Sequence, residues 1–472
     1  MSDFNPFTLN LNTIDDGEKK INHTEEFDRL LKRLNRVICD VHMASHGYDT
    51  SPDKYIHVNN LGIVDPVAFT LPADDGTGGG VAIALKPGAR IDGYHFDESF
   101  NNLRERLKNI LISHRSLPTF GDGDRTGMSA AIASMGNWTL KLSPNTEINP
   151  DSLPRWINTT NEDLGRHTSS TLKFVANELV GKLPSALGQL QQAAYATLYL
   201  LNTNVHAVNT LSHDTREAMQ AAIKACENFT KTRILSTLKF IGTAIKIAKD
   251  AEIIWKGDGE KSAGVAQEVA QWLAVHDINT TIKSPIYNDE TILSGLESAI
   301  EKLDTAFLEA ETSIRDGYID IAYALGERYK RNMLTIDHEN TSVDPYSGTI
   351  SINWDTYSTI YTIDLPSTAK RFRSVQLERY NVRYGTNFSR SPKLGLGEIG
   401  PANSFYDTIE CIGHTLERLA ESCDGIASGL KDFENTMKEN DTESADNFRK
   451  ITAKIDNYVE KCPKFPPSPS DS

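Results

Sequence analysis

Residues 292–326 read ILSGLESAIEKLDTAFLEAETSIRDGYIDIAYALG. Leu293, Leu296, Ile300, Leu303, Phe307, Ala310 and Ile314 recur at alternating three- and four-residue steps. That spacing puts them on one side of an α-helix, which must bury that side against a partner. Glu301, Lys302, Glu309, Glu311 and Arg315 fill the intervening faces, and no proline interrupts the run. After Ile314 the seam continues through Tyr318, Ile321 and Leu325, with two four-residue steps in succession. Such a stutter locally relaxes a supercoil. A helix of this length spans roughly 50 Å.

The 472 residues are 39% hydrophobic and 24% charged, a globular composition long enough for several domains. The formal charge of −15 disfavours non-specific contact with nucleic acid or anionic membranes. No apolar run approaches the 18 or so residues of a membrane span. The N-terminal MSDFNPFTLN has neither a basic start nor an apolar stretch, so the chain is expected to be made in the cytoplasm without a Sec-type signal. Cys39, Cys226, Cys411, Cys423 and Cys462 are scattered and form no CxxC pair, as in a reduced protein.

Outward from the central stretch, the chain divides into a mixed α/β region (1–180), a long-helix bundle (184–340), a β hairpin with a basic segment (345–390), a C-terminal helical hairpin (404–460) and a disordered tail (461–472). The first region opens with a helix at 24–43. Short β-rich runs follow at 55–58, 67–71 and 81–85, among Pro and Gly clusters, and then a helix at 97–114. The bundle begins with an Ala/Leu-rich helix at 185–210, expected to break around Ser212–Asp214. A second helix over 214–254 has the seam Ile234, Leu238, Ile241, Ile245 and Ala248, and a shorter one covers 261–275. Thr349 to Trp354 alternates as a strand does, with Tyr361 to Leu365 able to pair back on it. In the closing hairpin Ile412, Leu416, Leu419, Cys423, Ile426, Leu430, Phe433 and Met437 keep helical spacing, and Phe448, Ile451, Ile455 and Tyr458 do so after a polar restart. The fold class is therefore mainly α: long antiparallel helical hairpins with a mixed N-terminal region and a small β insertion.

Chemistry-bearing patterns are sparse. Cys39, His42 and His46 share a helical face at zinc-competent spacing, with His57 as a possible fourth ligand; the end of an ordinary helix is the better account of them, and no metal is assigned. Asp122, Asp124, Thr126 and Gly127 resemble the start of a calcium loop, but the twelfth position is Ala133. Gly76, Gly78, Gly79 and Gly80, like the Gly-Asp-Gly-Glu-Lys-Ser at 257–262, lack P-loop spacing. No cofactor motif and no nucleophile–base arrangement is present. Arg371, Arg373, Arg379 and Arg383 lie in a Tyr-rich stretch with Lys370 and Arg390, opposed in sequence by Glu378. In an acidic chain they read as a basic docking patch for a protein partner, not for nucleic acid.

The long helix, the turn Trp255-Lys256-Gly257 and the helix after it resemble the small helical-hairpin substrates of type VII secretion, as does the closing hairpin. The resemblance covers 212–276 and 404–460. It implies that Trp255 and Gly257 pack the two helices together. It further implies an export signal of the form Tyr-x-x-x-Asp/Glu, which Tyr323/Glu327 and the better-placed Tyr406/Glu410 match. The expected function is then non-enzymatic: a helical protein associated with or exported by such a system, binding a secretion component, a helical co-substrate or a second copy of itself. Two alternatives stand beside it. One is a cytoplasmic coiled-coil-like scaffold whose seams at 293–325 and 412–437 bind partner helices. The other is an enzyme with its site around His42, His46 and His57.

Overall fold

The computed structural model describes residues 23–91, 95–118, 127–142, 153–167, 172, 175–232, 238–244, 276–282, 288–330 and 352–439. The chain is mainly α with a small antiparallel sheet near its N-terminus. The organising element is the helix foreseen at 292–326, here α6 (Asp289–Lys330), packed along α5 (Leu183–Thr232). The pairing is antiparallel: Gly317 meets Leu200, Glu311 reaches Asn204, and the Leu296 end lies in the core with Ala222 and Phe229. At about 1.5 Å per residue α5 alone extends about 75 Å.

Among the described residues two large cores share this pair of helices, with a smaller cluster around Val208, Leu211 and Phe307 besides. The lower one collects α1 (His23–Ser45), the sheet and α2 (Asp97–Leu111) around Phe27, Leu34, Tyr55, Phe69, Phe100 and the Leu293–Ile300 end of α6. The upper one takes the other end, where Ile314, Tyr318 and Leu325 pack with α3 (Met128–Lys141), α4 (Leu153–Gly165), α7 (Trp354–Thr359), α8 (Leu365–Gln376), α9 (Glu378–Gly385) and α10 (Ala402–Glu439). Both helical seams are therefore spent inside the chain. Leu293 to Leu325, apart from the partly buried Leu303, and Ile412 to Phe433 are buried along these seams, and α10 lies against α8 and α6.

The sheet order is β1 (Tyr48–Thr50), β2 (Lys54–Val58), β3 (Val64–Thr70), β4 (Ala82–Ala84), all antiparallel. The three β-rich runs thus become β2, β3 and β4, and β1 is added at the edge. Tyr55, Phe69 and Ala82 form one cross-strand row that packs down on α1.

Four expectations change. No break occurs at Ser212–Asp214, because α5 runs through it. Ser212 is buried with its hydroxyl 2.6 Å from His23 Nδ1, and Thr215 Oγ1 donates to the Leu211 carbonyl at 2.8 Å. Polar groups that favour a turn in isolation are here satisfied by a neighbouring helix and by α5 itself.

The helix foreseen over 214–254 is described as far as Thr232, and Leu238–Ala244 is a strand, β5, paired antiparallel with β6 (His276–Ile282). Apolar residues there satisfy both periods over a short run. The aromatic, β-branched and glycine content of Phe240-Ile241-Gly242-Thr243, with Thr280 opposite Phe240, favours the strand.

The β hairpin expected at 345–365 is helical from Trp354 onward, residues 345–351 lying outside the described ones. Asn353 caps α7, its side chain accepting from the amides of Asp355 at 3.2 Å and Thr356 at 3.4 Å. Tyr357, Ile360, Asp364 and Leu365 then turn inward at helical spacing through a π-turn (Ile360–Asp364). Tyr357 OH donates to the Leu430 carbonyl at 2.7 Å.

Glu311, placed among the intervening faces by the seam, is fully buried. Trp255, Gly257, the 261–275 helix, Asp122 to Thr126, the second arm of the closing hairpin and the tail lie outside the described residues.

Candidate protein-docking site

Four of the residues singled out from sequence meet at one place, where α9 lies beside the start of α10. Tyr406 and Glu410 stand one turn apart on α10. Glu410 faces two guanidinium groups, Arg379 Nε at 3.4 Å and Arg383 Nη1 at 3.5 Å, and the imidazole of His414, whose Nε2 is 3.9 Å away. Arg383 also lies over the Tyr406 ring, 5.1 Å from its centroid. The Thr386 hydroxyl donates to the Arg383 carbonyl at 2.9 Å, so at 3.0 Å it accepts from Tyr406 OH. Gly413 makes this approach possible, since a Cβ there would sit 2.6 Å from Arg379 Nη1.

The basic stretch is thus largely answered from within. Arg373 pairs with Asp424 at 2.6 Å and Glu417 at 3.2 Å, which hold its guanidinium above its ordinary value. Glu378 accepts from Lys141 and, at 3.0 Å, from Asn381. Burial works against its ionisation, but these donors keep its carboxyl below the usual range. Arg390 is buried against Glu311. Of the basic stretch foreseen in sequence, Lys370, Arg371 and Arg383 stay exposed at the surface.

What the surface offers instead is aromatic. Leu377, Tyr380 and Tyr384 follow at three- and four-residue steps on the outer face of α9, and are 52%, 41% and 87% exposed. Arg379 stacks on Tyr380 with its guanidinium carbon 4.9 Å from the ring centroid. The opposite side of α9 is anchored, with Val382 buried and Gly385 pressed against Ala131 of α3. A helix anchored from behind therefore presents two tyrosines and a leucine, with the largely buried Arg379 held against Tyr380; exposed tyrosines are the residue type most often found carrying binding energy in protein interfaces. Tyr380 and Tyr384 were visible in the sequence as aromatics between arginines. Leu377 was not, because its exposure depends on how α9 is docked.

The N-terminal histidines are each engaged separately. His42 Nδ1 donates to Asp289 at 3.0 Å, and His57 Nδ1 to Asp65 at 2.6 Å. The His46 ring packs on His42 at 4.4 Å and on Phe96 at 5.4 Å. Cys39 donates to the Asn35 carbonyl at 3.2 Å, and burial pushes its thiol up to about 12. Among the described residues no group of three or more His, Cys, Asp or Glu side chains is placed to hold a metal ion, and no helix is long and apolar enough to cross a membrane. Comparison with protein-family models, curated proteins and solved structures finds no match to the chain.

Proposed function

We propose that this is a non-catalytic helical protein that acts by docking another protein on the Leu377–Tyr380–Tyr384 face, within a type VII-like secretion pathway. The observation that carries the docking reading is that exposed aromatic face on a helix fixed from behind. The pathway is supported by the resemblance of Trp255-Lys256-Gly257 and of the Tyr406/Glu410 pair. That pair adjoins the aromatic face through Arg383, so a receptor reading α9 would touch the Tyr-x-x-x-Glu turn as well.

Fractionation of the producing cells, with and without an intact type VII apparatus, tests both parts. The native chain is expected in the medium only when the apparatus is intact, and a Tyr380→Ala/Tyr384→Ala chain is expected to stay inside. Retention of the native chain in both strains overturns the export reading. Normal export of the double variant overturns the docking face.

A further inference from the structure

His23 and His114 meet where four segments converge, and both are essentially withdrawn from solvent. His23, in the first turn of α1, joins two neighbours through its opposite nitrogens. Its Nε2 donates to the His114 carbonyl at 2.9 Å, in the 3-10 turn Ile112–His114 that follows α2. Its Nδ1 therefore carries the lone pair, and it accepts from the Ser212 hydroxyl of α5 at 2.6 Å. A neutral imidazole satisfies both contacts with nothing left over. The His114 ring has a different setting. Its Nε2 donates at 2.9 Å to Asp304 of α6, a carboxylate that can balance a proton on the ring.

No such balance is offered to His23. The charged groups that face it are Arg216, whose Nε donates to the Ser212 carbonyl at 3.3 Å, and the His114 ring, and both oppose a positive charge there. The acids of the surrounding elements are engaged elsewhere: Glu26 with Arg29, Asp28 with Arg115, Asp304 with His114 and Asp214 with His213. Burial above all lowers the His23 imidazole from its ordinary 6.5; Arg216 and His114 add to the effect, and the His114 carbonyl works against it.

We propose that His23 is an acid-released latch: a proton on its imidazole detaches the first turn of α1 from α5 and from the turn after α2, while the two large cores persist. In the closed form the imidazole is neutral, and in the released form it meets water and takes a proton at the ordinary 6.5. The latch is therefore complete above that value. It weakens as pH falls below it, by at most about tenfold per pH unit for one proton.

Amide hydrogen exchange of the full chain at pH 7.5 and 5.0, corrected for the intrinsic rate at each pH, tests this. Protection of peptides covering 23–28 and 112–116 is expected to fall by more than about fivefold at the lower pH, while peptides of α10 keep theirs. His23→Gln retains a donor and an acceptor but cannot charge, and should hold its protection at both pH values. Arg216→Gln removes a facing cation and should move the release to lower pH. Equal protection of the native chain at both pH values overturns the proposal, as does an acid loss that persists in full in His23→Gln. Where His23→Gln is open already at pH 7.5, Arg216→Gln decides, and a release that does not move overturns the latch. Protection lost across α10 as well would mean global acid unfolding, which overturns it too. None of these variants touches the docking face on α9.

Discussion

At the scale of single residues, the chain commits most heavily to the pair Glu311–Arg390. Both side chains are essentially removed from solvent. Burial raises the carboxyl of Glu311 and lowers the guanidinium of Arg390, and each partner opposes the other's shift. Glu311 also accepts from the Leu396 amide at 2.9 Å, and a Cβ on Gly395 would fall 2.0 Å from its Oε2. The segment between α9 and α10 is thereby clamped onto α6. Arg390→Met alone should cost about 3–5 kcal/mol, because it strands a buried carboxylate, whereas Glu311→Leu/Arg390→Met should recover most of that loss. Urea unfolding of the three chains checks it. Asp364 makes a pH prediction. Burial, and then the neighbouring Asp163 carboxylate, raise it from 3.8 to about 6, so the folded chain holds a proton that the unfolded chain releases. Its stabilising contribution is complete below 3.8 and disappears as pH rises through about 6. Asp364→Asn should therefore be more stable than native above pH 6, with the advantage shrinking towards pH 4, as thermal melts across that range would show.

At the scale of elements, the contact of α5 with α6 depends on a glycine. A Cβ on Gly317 would meet Leu200 Cδ1 at 2.9 Å, the end of a side chain that is itself buried. Gly317→Ala should be close to neutral, since the gain in helix propensity of about 1 kcal/mol offsets a small shift of Leu200. Gly317→Leu should cost about 1–3 kcal/mol by forcing the helices apart, a difference readable in chemical denaturation. The seam of α6, the strands β2 to β4 and α2 were read from pattern alone. The run Tyr361–Leu365 was misread as a strand returning on Thr349–Trp354 because aromatic and β-branched residues recur in both, and the period that decided it became visible only once α10 stood opposite to bury Tyr357 and Ile360. The Arg373 and Arg379 group read as an open patch because its acidic partners, Glu410, Glu417 and Asp424, come from an element about 40 residues further on.

At the scale of the whole molecule, α5 and α6 tie two hydrophobic cores together. Cys39 and Cys226 sit in one core, Cys411 and Cys423 in the other. Burial pushes the thiols of Cys39, Cys411 and Cys423 up to about 12, and that of Cys226 up as well. In the native protein at pH 8 all four should resist iodoacetamide, and on adding urea they should react as their own core opens. Peptide mapping against urea concentration checks it. Simultaneous labelling would mean one cooperative unit, and two steps would mean that the cores open separately.

The sequence by itself determined that the protein is mainly α, because heptad spacing over many turns has only one economical burial, and it placed the small sheet because its strands are bounded by Pro and Gly. It also named Tyr406, Glu410, Arg379 and Arg383. Only the tertiary structure decided that these four share one corner, that Glu311 is buried against Arg390, that α5 runs unbroken through Ser212, and which aromatics of α9 stay in solvent. The physical reason is common to all of them. Periodicity reports which face of an element is apolar, while the fate of a charged or polar side chain depends on what a distant segment sets against it.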